Sequence, residues 1–132
     1  YKLRGTDAWS AKLLRHALPL SAVLGLEVSL EDFERLDLRV VKVLEAERIP
    51  GLSRVLKVKV DVGGEVREMV VGGAQFYAPE YFKGRLFVAL VNLQAKRIGG
   101  VLSRGMLLAA DLEGRPVWLT VSEEVPPGTR VK

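Results

Sequence analysis

An all-β chain closed into a small barrel is what this sequence predicts. Three observations carry that prediction. Short runs of alternating apolar and polar residues recur between positions 38 and 121. Turn residues separate them, notably Pro50-Gly51, Gly63-Gly64 and Glu113-Gly114. One helical signal, Pro79-Glu80-Tyr81-Phe82, falls between the third and fourth runs. Three strands, a short helix and two further strands is the order of the OB-fold, a five-stranded Greek-key barrel. An open sandwich would need more strands. The predicted architecture is therefore an OB-fold with a helix between strands three and four and an N-terminal helical extension.

Each element has its own reason. Trp9, Leu13, His16 and Ala17 fall at helical spacing, so a short amphipathic helix is expected before Pro19. Residues 20–28 read as a strand or a packing arm. Ser29-Leu30-Glu31-Asp32 opens a second short helix, with the hydroxyl of Ser29 as its cap. The run 38–47 alternates but is long for a strand, so a bend or bulge is expected in it. Residues 49–53 read as a turn-rich loop. In 55–62, Leu56, Val58, Val60 and Val62 point to the core while Lys57 and Lys59 point out. Gly63-Gly64 closes a hairpin onto 66–71. The last strands are 85–91, 106–111 and 116–121. Phe76, Tyr77, Tyr81 and Phe82 surround the helical turn and read mostly as barrel plug. The tail, residues 124–132, is Pro-rich and extended.

Composition bounds the function. With 132 residues the chain is long enough for one domain with its own core. Residues 1–30 read as an extension or arm, and 31–132 as the barrel domain with a C-terminal dimerisation tail. There are no cysteines and one histidine, His16. Disulfides, thiolate metal sites and a Cys nucleophile are excluded. No nucleophile–base pair is visible, so the expectation is a non-enzyme without cofactor or metal. Asp61, Glu65 and Glu68 cluster near a hairpin but make a poor metal site without His or Cys. No apolar run approaches the ~20 residues of a membrane span, and no signal peptide is visible. The expected location is cytoplasmic.

Charge is more informative by place than by sum. The formal net charge is +4, and the whole excess lies within residues 36–104. Residues 92–106 hold Lys96, Arg97 and Arg104 and no acid, between two apolar runs. On the predicted barrel this is the loop joining strands four and five. That loop, the strand 1–2 loop and the face of strands two and three are where such barrels hold ligands. Lys57 and Lys59 project from strand two. Taken singly, these cations read as solvated strand and loop positions. Taken together on one face, they read as a phosphate-binding surface. Asn92 and Ser103 flank the loop; Asn92 either pins a turn or reads a base edge.

Several segments occur in the order and spacing of a known family. They are Asp37-Leu38-Arg39-Val40, Val60-Asp61-Val62-Gly63, Val70-Val71-Gly72-Gly73, Asn92-Leu93 and Ser103-Arg104-Gly105-Met106-Leu107-Leu108-Ala109-Ala110. Over residues 32–132 the chain resembles the tRNA-binding domain family. Its members include the C-terminal domain or beta subunit of methionyl-tRNA synthetase, stand-alone structure-specific tRNA-binding proteins and CsaA-type export chaperones. The resemblance implies a module that binds tRNA by shape, with methionyl-tRNA synthetase as a candidate partner and a homodimer in the stand-alone forms. It places Asn92, Lys96, Arg97, Ser103 and Met106 in the tRNA-contacting loop, and Lys57 in the strand lining the same face. The expected tRNA-binding set is thus Lys57, Lys59, Asn92, Lys96, Arg97, Ser103, Arg104 and Met106. The alternative is a chaperone that binds unfolded peptides. Departures from the family pattern stand at Ile49-Pro50-Gly51-Leu52-Ser53-Arg54-Val55, where one His and two acids are absent. Others stand at Gln94-Ala95 and Gly99-Gly100, where two cations are absent.

Overall fold

The structure, a computed structural model, describes residues 26–132. The helix expected near Trp9 to Ala17 lies outside them, as does most of 20–28. The chain divides into two compact units, Tyr1–Phe33 and Glu34–Lys132. Ser29 opens helix α1 (Leu30–Glu34). Its Oγ accepts from the Asp32 N–H at 3.0 Å and its carbonyl from Phe33 at 3.1 Å, as an N-cap serine should.

The second unit is an antiparallel β structure. Its strands are β1 (Leu38–Ile49), β2 (Leu52–Asp61), β3 (Val66–Gly72) and β4 (Leu86–Leu90). They are followed by β5 (Lys96–Ile98), β6 (Val101–Ser103), β7 (Met106–Leu107), β8 (Ala109–Leu112), β9 (Arg115–Trp118) and β10 (Arg130–Val131). Helix α2 (Pro79–Phe82) sits between β3 and β4 with Pro at its start. The main sheet runs β3-β2-β1-β4-β7. Its edges meet where the Arg104 N–H donates to the Glu68 carbonyl at 3.0 Å, joining β3 to the approach of β7.

Strand β1 is long because it serves three partners. Its first half pairs with β4 and β10, its second with β2. The expected bulge is at Leu44, where the register to β2 shifts between Val43 and Glu45. The bulge bends β1 around the core. Leu56, Val58, Val60, Met69 and Phe82 are fully buried there. Phe82 plugs the barrel, with its ring centroid 5.4 Å from Trp118 and 5.7 Å from Phe87. Burying such a ring is worth roughly 2–3 kcal/mol. Phe76, by contrast, is exposed.

Three expectations change in detail. The loop at residues 49–53 is only a two-residue Pro50-Gly51 turn, since Ile49 already pairs with Leu52. The strand expected at 106–111 divides at Leu108, whose N–H bonds Val88 while its carbonyl accepts from Leu119. There the chain leaves β4 and begins the β8–β9 hairpin. The tail does not trail away: its Gly128 lies against Gly63, and β10 pairs with β1. A Cβ on Gly128 would come within 2.7 Å of the Gly63 Cα, so only glycines allow the crossing.

Candidate nucleic-acid interface

The acid-free segment at residues 92–106 is a β-hairpin rather than a loop. Lys96 pairs with Ser103, Arg97 with Leu102 and Ile98 with Val101. Gly99 and Gly100 form its two-residue turn, with φ of +56° and +81°. Successive positive φ values are what a tight type I′ hairpin requires, and glycine adopts them without strain. The tip is seated. A Cβ on Gly99 would lie 2.5 Å from Leu52 Cδ1 and 3.2 Å from Ile49 Cγ2. The hairpin therefore rests on the β1–β2 turn, and the two loops expected to share a ligand face do adjoin.

Alternation divides the hairpin. Lys96, Ile98, Val101 and Ser103 share one side, which Ser103 carries into the interior; Arg97 and Leu102 share the other. Lys96 and Arg97 are both exposed, and neither has an ion-pair partner among the described residues. Arg104 is half-exposed. Its Nη1 lies 3.3 Å from Glu65 Oε1, an oxygen that also takes Arg67 Nε at 3.3 Å. Hydrogen bonding from Arg67, then the charges of Arg67 and Arg104, hold the Glu65 carboxyl below its usual range. One carboxylate shared by two guanidiniums leaves a net positive rim.

Two other residues from the expected set are engaged in the fold. Ser103 is 7% exposed. Its Oγ accepts from the Val70 N–H at 3.0 Å and donates to the Gly105 carbonyl at 3.3 Å. Asn92 pins the start of β1: its Oδ1 accepts from the Asp37 N–H at 2.9 Å, and its Nδ2 donates to the Arg35 carbonyl at 2.7 Å. Met106 is partly exposed on β7, opposite Leu90.

Lys57 and Lys59 stand on the outer face of β2, in different company. Lys57 Nζ lies 2.7 Å from Glu47 Oε1 and 3.6 Å from Glu68 Oε2; Lys59 Nζ lies 3.5 Å from Glu45 Oε2. The Glu47 hydrogen bond raises the Lys57 ammonium and lowers the Glu47 carboxyl from their ordinary values. Sequence reasoning did not weigh these acids as part of the surface. For Glu68 the signal was present. Counting outward from the Gly63-Gly64 turn sets Lys59 opposite Glu68, as observed. For Glu45 and Glu47 it was not, because the register to β2 shifts between Arg48 and Ile49, so counting back from the Pro50-Gly51 turn misplaces both.

Residues 38–130 match the family described as "Putative tRNA binding domain". The chain belongs to the tRNA-binding domain family. It is 47% identical over 105 residues to a methionine–tRNA ligase of Archaeoglobus fulgidus, covering 80% of this chain and 16% of that one. To the methionine–tRNA ligase of Thermotoga maritima it is 41% identical over 104 residues, again covering 16% of the ligase. The chain thus spans about a sixth of the length of these relatives. Among solved structures it is similar to a MetRS-related protein from Pyrococcus horikoshii, with TM-score 0.76, 37% identity and coverage of 80% of this chain and 98% of that one. It is also similar to the chaperone CsaA of Bacillus anthracis, with TM-score 0.73, 30% identity and coverage of 80% and 99%. Among the described residues, no helix is long and apolar enough to cross a membrane.

Proposed function

We propose that this domain binds folded tRNA through phosphate contacts on the β5–β6 hairpin and the Arg104 rim, without catalysing a reaction, and so assists aminoacylation by methionyl-tRNA synthetase. One observation carries the reading. Lys96 and Arg97 are exposed and unpaired among the described residues, on a hairpin whose tip is held against Leu52. Fixed, unneutralised cations are what a polyanion of defined shape can use, and each phosphate they neutralise releases condensed counterions. Family membership and the similarity to methionine–tRNA ligases supply the partner class. The test is filter binding of folded tRNA across a salt series. Affinity should fall steeply with salt; no binding at 50 mM salt would reject the reading.

A chaperone role is the second reading. The likeness to CsaA and a shallow apolar groove lined by Val70, Met106, Leu108 and Pro116 favour it. Suppressed aggregation of an unfolded client, without tRNA binding, would select it. A homodimer belongs to either reading, and light scattering at micromolar concentration tests it.

A further inference from the structure

The face of β2 and β3, which β1 borders, is a surface on which an OB-fold ordinarily receives its ligand. Here it is patterned against phosphate. Register places Glu45 across from Lys59, Glu47 across from Lys57, and Glu68 on the far side of Lys59. Lys42 and Asp61 extend the same outward row. Lys42, Lys57 and Lys59 therefore face Glu45, Glu47, Asp61 and Glu68, so the face has no positive excess. Opposite charges directly across a strand pair attract, which explains why the lysines are there at all. A phosphate approaching Lys57 meets an ammonium already 2.7 Å from one carboxylate and 3.6 Å from another. The β5–β6 hairpin has no such acid.

We propose that Glu45, Glu47 and Glu68 are specificity-determining residues that keep RNA phosphates off the β1–β3 face and confine RNA to the hairpin and the Arg104 rim. This rests on the RNA-binding reading above and deepens it. A flexible RNA gains affinity by lying along a broad basic surface, and the carboxylates deny it that surface. A folded RNA that presents phosphates at fixed positions needs only the hairpin.

The test replaces Glu45→Gln, Glu47→Gln and Glu68→Gln together in the full chain. Folded tRNA and an unstructured RNA of the same length are bound across a salt series. Releasing Lys57 and Lys59 should steepen the salt slope for both by about 2 and tighten binding about tenfold at low salt. The gain should be larger for the unstructured RNA. Adding Lys57→Ala and Lys59→Ala to that variant should remove the gain. Removing three carboxylates elsewhere, with Glu80→Gln, Glu123→Gln and Glu124→Gln, controls for net charge. If the triple variant fails to fold, Glu45→Gln with Glu68→Gln leaves the Glu47–Lys57 pair in place and should show about half the change in slope. Wild-type binding with no gain in either variant, or an equal gain in the control, would overturn this inference alone. Absence of wild-type binding would overturn the RNA-binding reading and this inference with it.

Discussion

The β1–β3 face and the β5–β6 hairpin carry similar cations in opposite company. Lys57 and Lys59 each have a carboxylate within 4 Å, contributed by a neighbouring strand. Lys96 and Arg97 have none among the described residues, because the hairpin's strands supply no acid to face them. What separates the regions is the residue across the ladder rather than the cation itself. Counting positive side chains therefore misses the compensating acids of the first region, whereas in the second the count and the net charge agree.

The strongest way to break this comparison is to remove the unpaired charges. Lys96→Ala with Arg97→Ala should weaken tRNA binding about thirtyfold near 0.1 M salt and make the salt slope shallower by about 2. Unchanged binding would end the hairpin's claim. Gly99→Ala asks whether seating matters. Its Cβ would meet Leu52 at 2.5 Å in a positive-φ backbone. A stability loss of about 2 kcal/mol is expected in thermal unfolding, with a several-fold loss of tRNA affinity as the tip lifts from the β1–β2 turn.

Ser103→Ala separates architecture from contact. It leaves the Val70 N–H without its acceptor. Denaturant unfolding should show a loss of about 1.5 kcal/mol, while the folded fraction keeps more affinity than the Lys96/Arg97 variant. The acids offer a gentler probe. Asp37 is held below its usual 3.8, chiefly by the hydrogen bond from Arg39. Glu47 and Glu65 are likewise held below 4.5 by Lys57 and Arg67. A carboxyl depressed in the folded state contributes stability above its unfolded value and loses it as pH falls through the lower folded value. Stability should thus decline on acidification below about pH 4.5, and Asp37→Asn should flatten part of that decline in an acid titration followed by circular dichroism. The smallest effect expected is on the paired face. Lys57→Ala with Lys59→Ala should change tRNA affinity less than about threefold, and a tenfold loss in filter binding would erase the distinction between the two regions.

Much of the fold was legible in the residues. Leu56, Val58, Val60 and Val62 alternate, and all are buried. Gly63-Gly64 closed its hairpin and Pro79 began its helix. Such features follow from local geometry: a period of two, a turn that needs glycine, a ring that suits a first helical turn. The candidate site was legible only in part. Lys96, Arg97 and Arg104 could be found because their signal is an absence of acid over a continuous stretch. Asn92 could not be resolved between pinning a turn and reading a base, since its partners Arg35 and Asp37 lie more than fifty positions away.

By itself the sequence determined an all-β fold, the succession of its first four strands and the helix before the fourth, and the location of its positive excess, because each depends on neighbours along the chain. Only the tertiary structure decided which cations are spent. Glu47 reaches Lys57 through a register that shifts between Arg48 and Ile49, and Ser103 reaches Val70 through closure of the barrel. Both contacts depend on how distant strands are aligned. A shift of one residue turns every side chain to the opposite face.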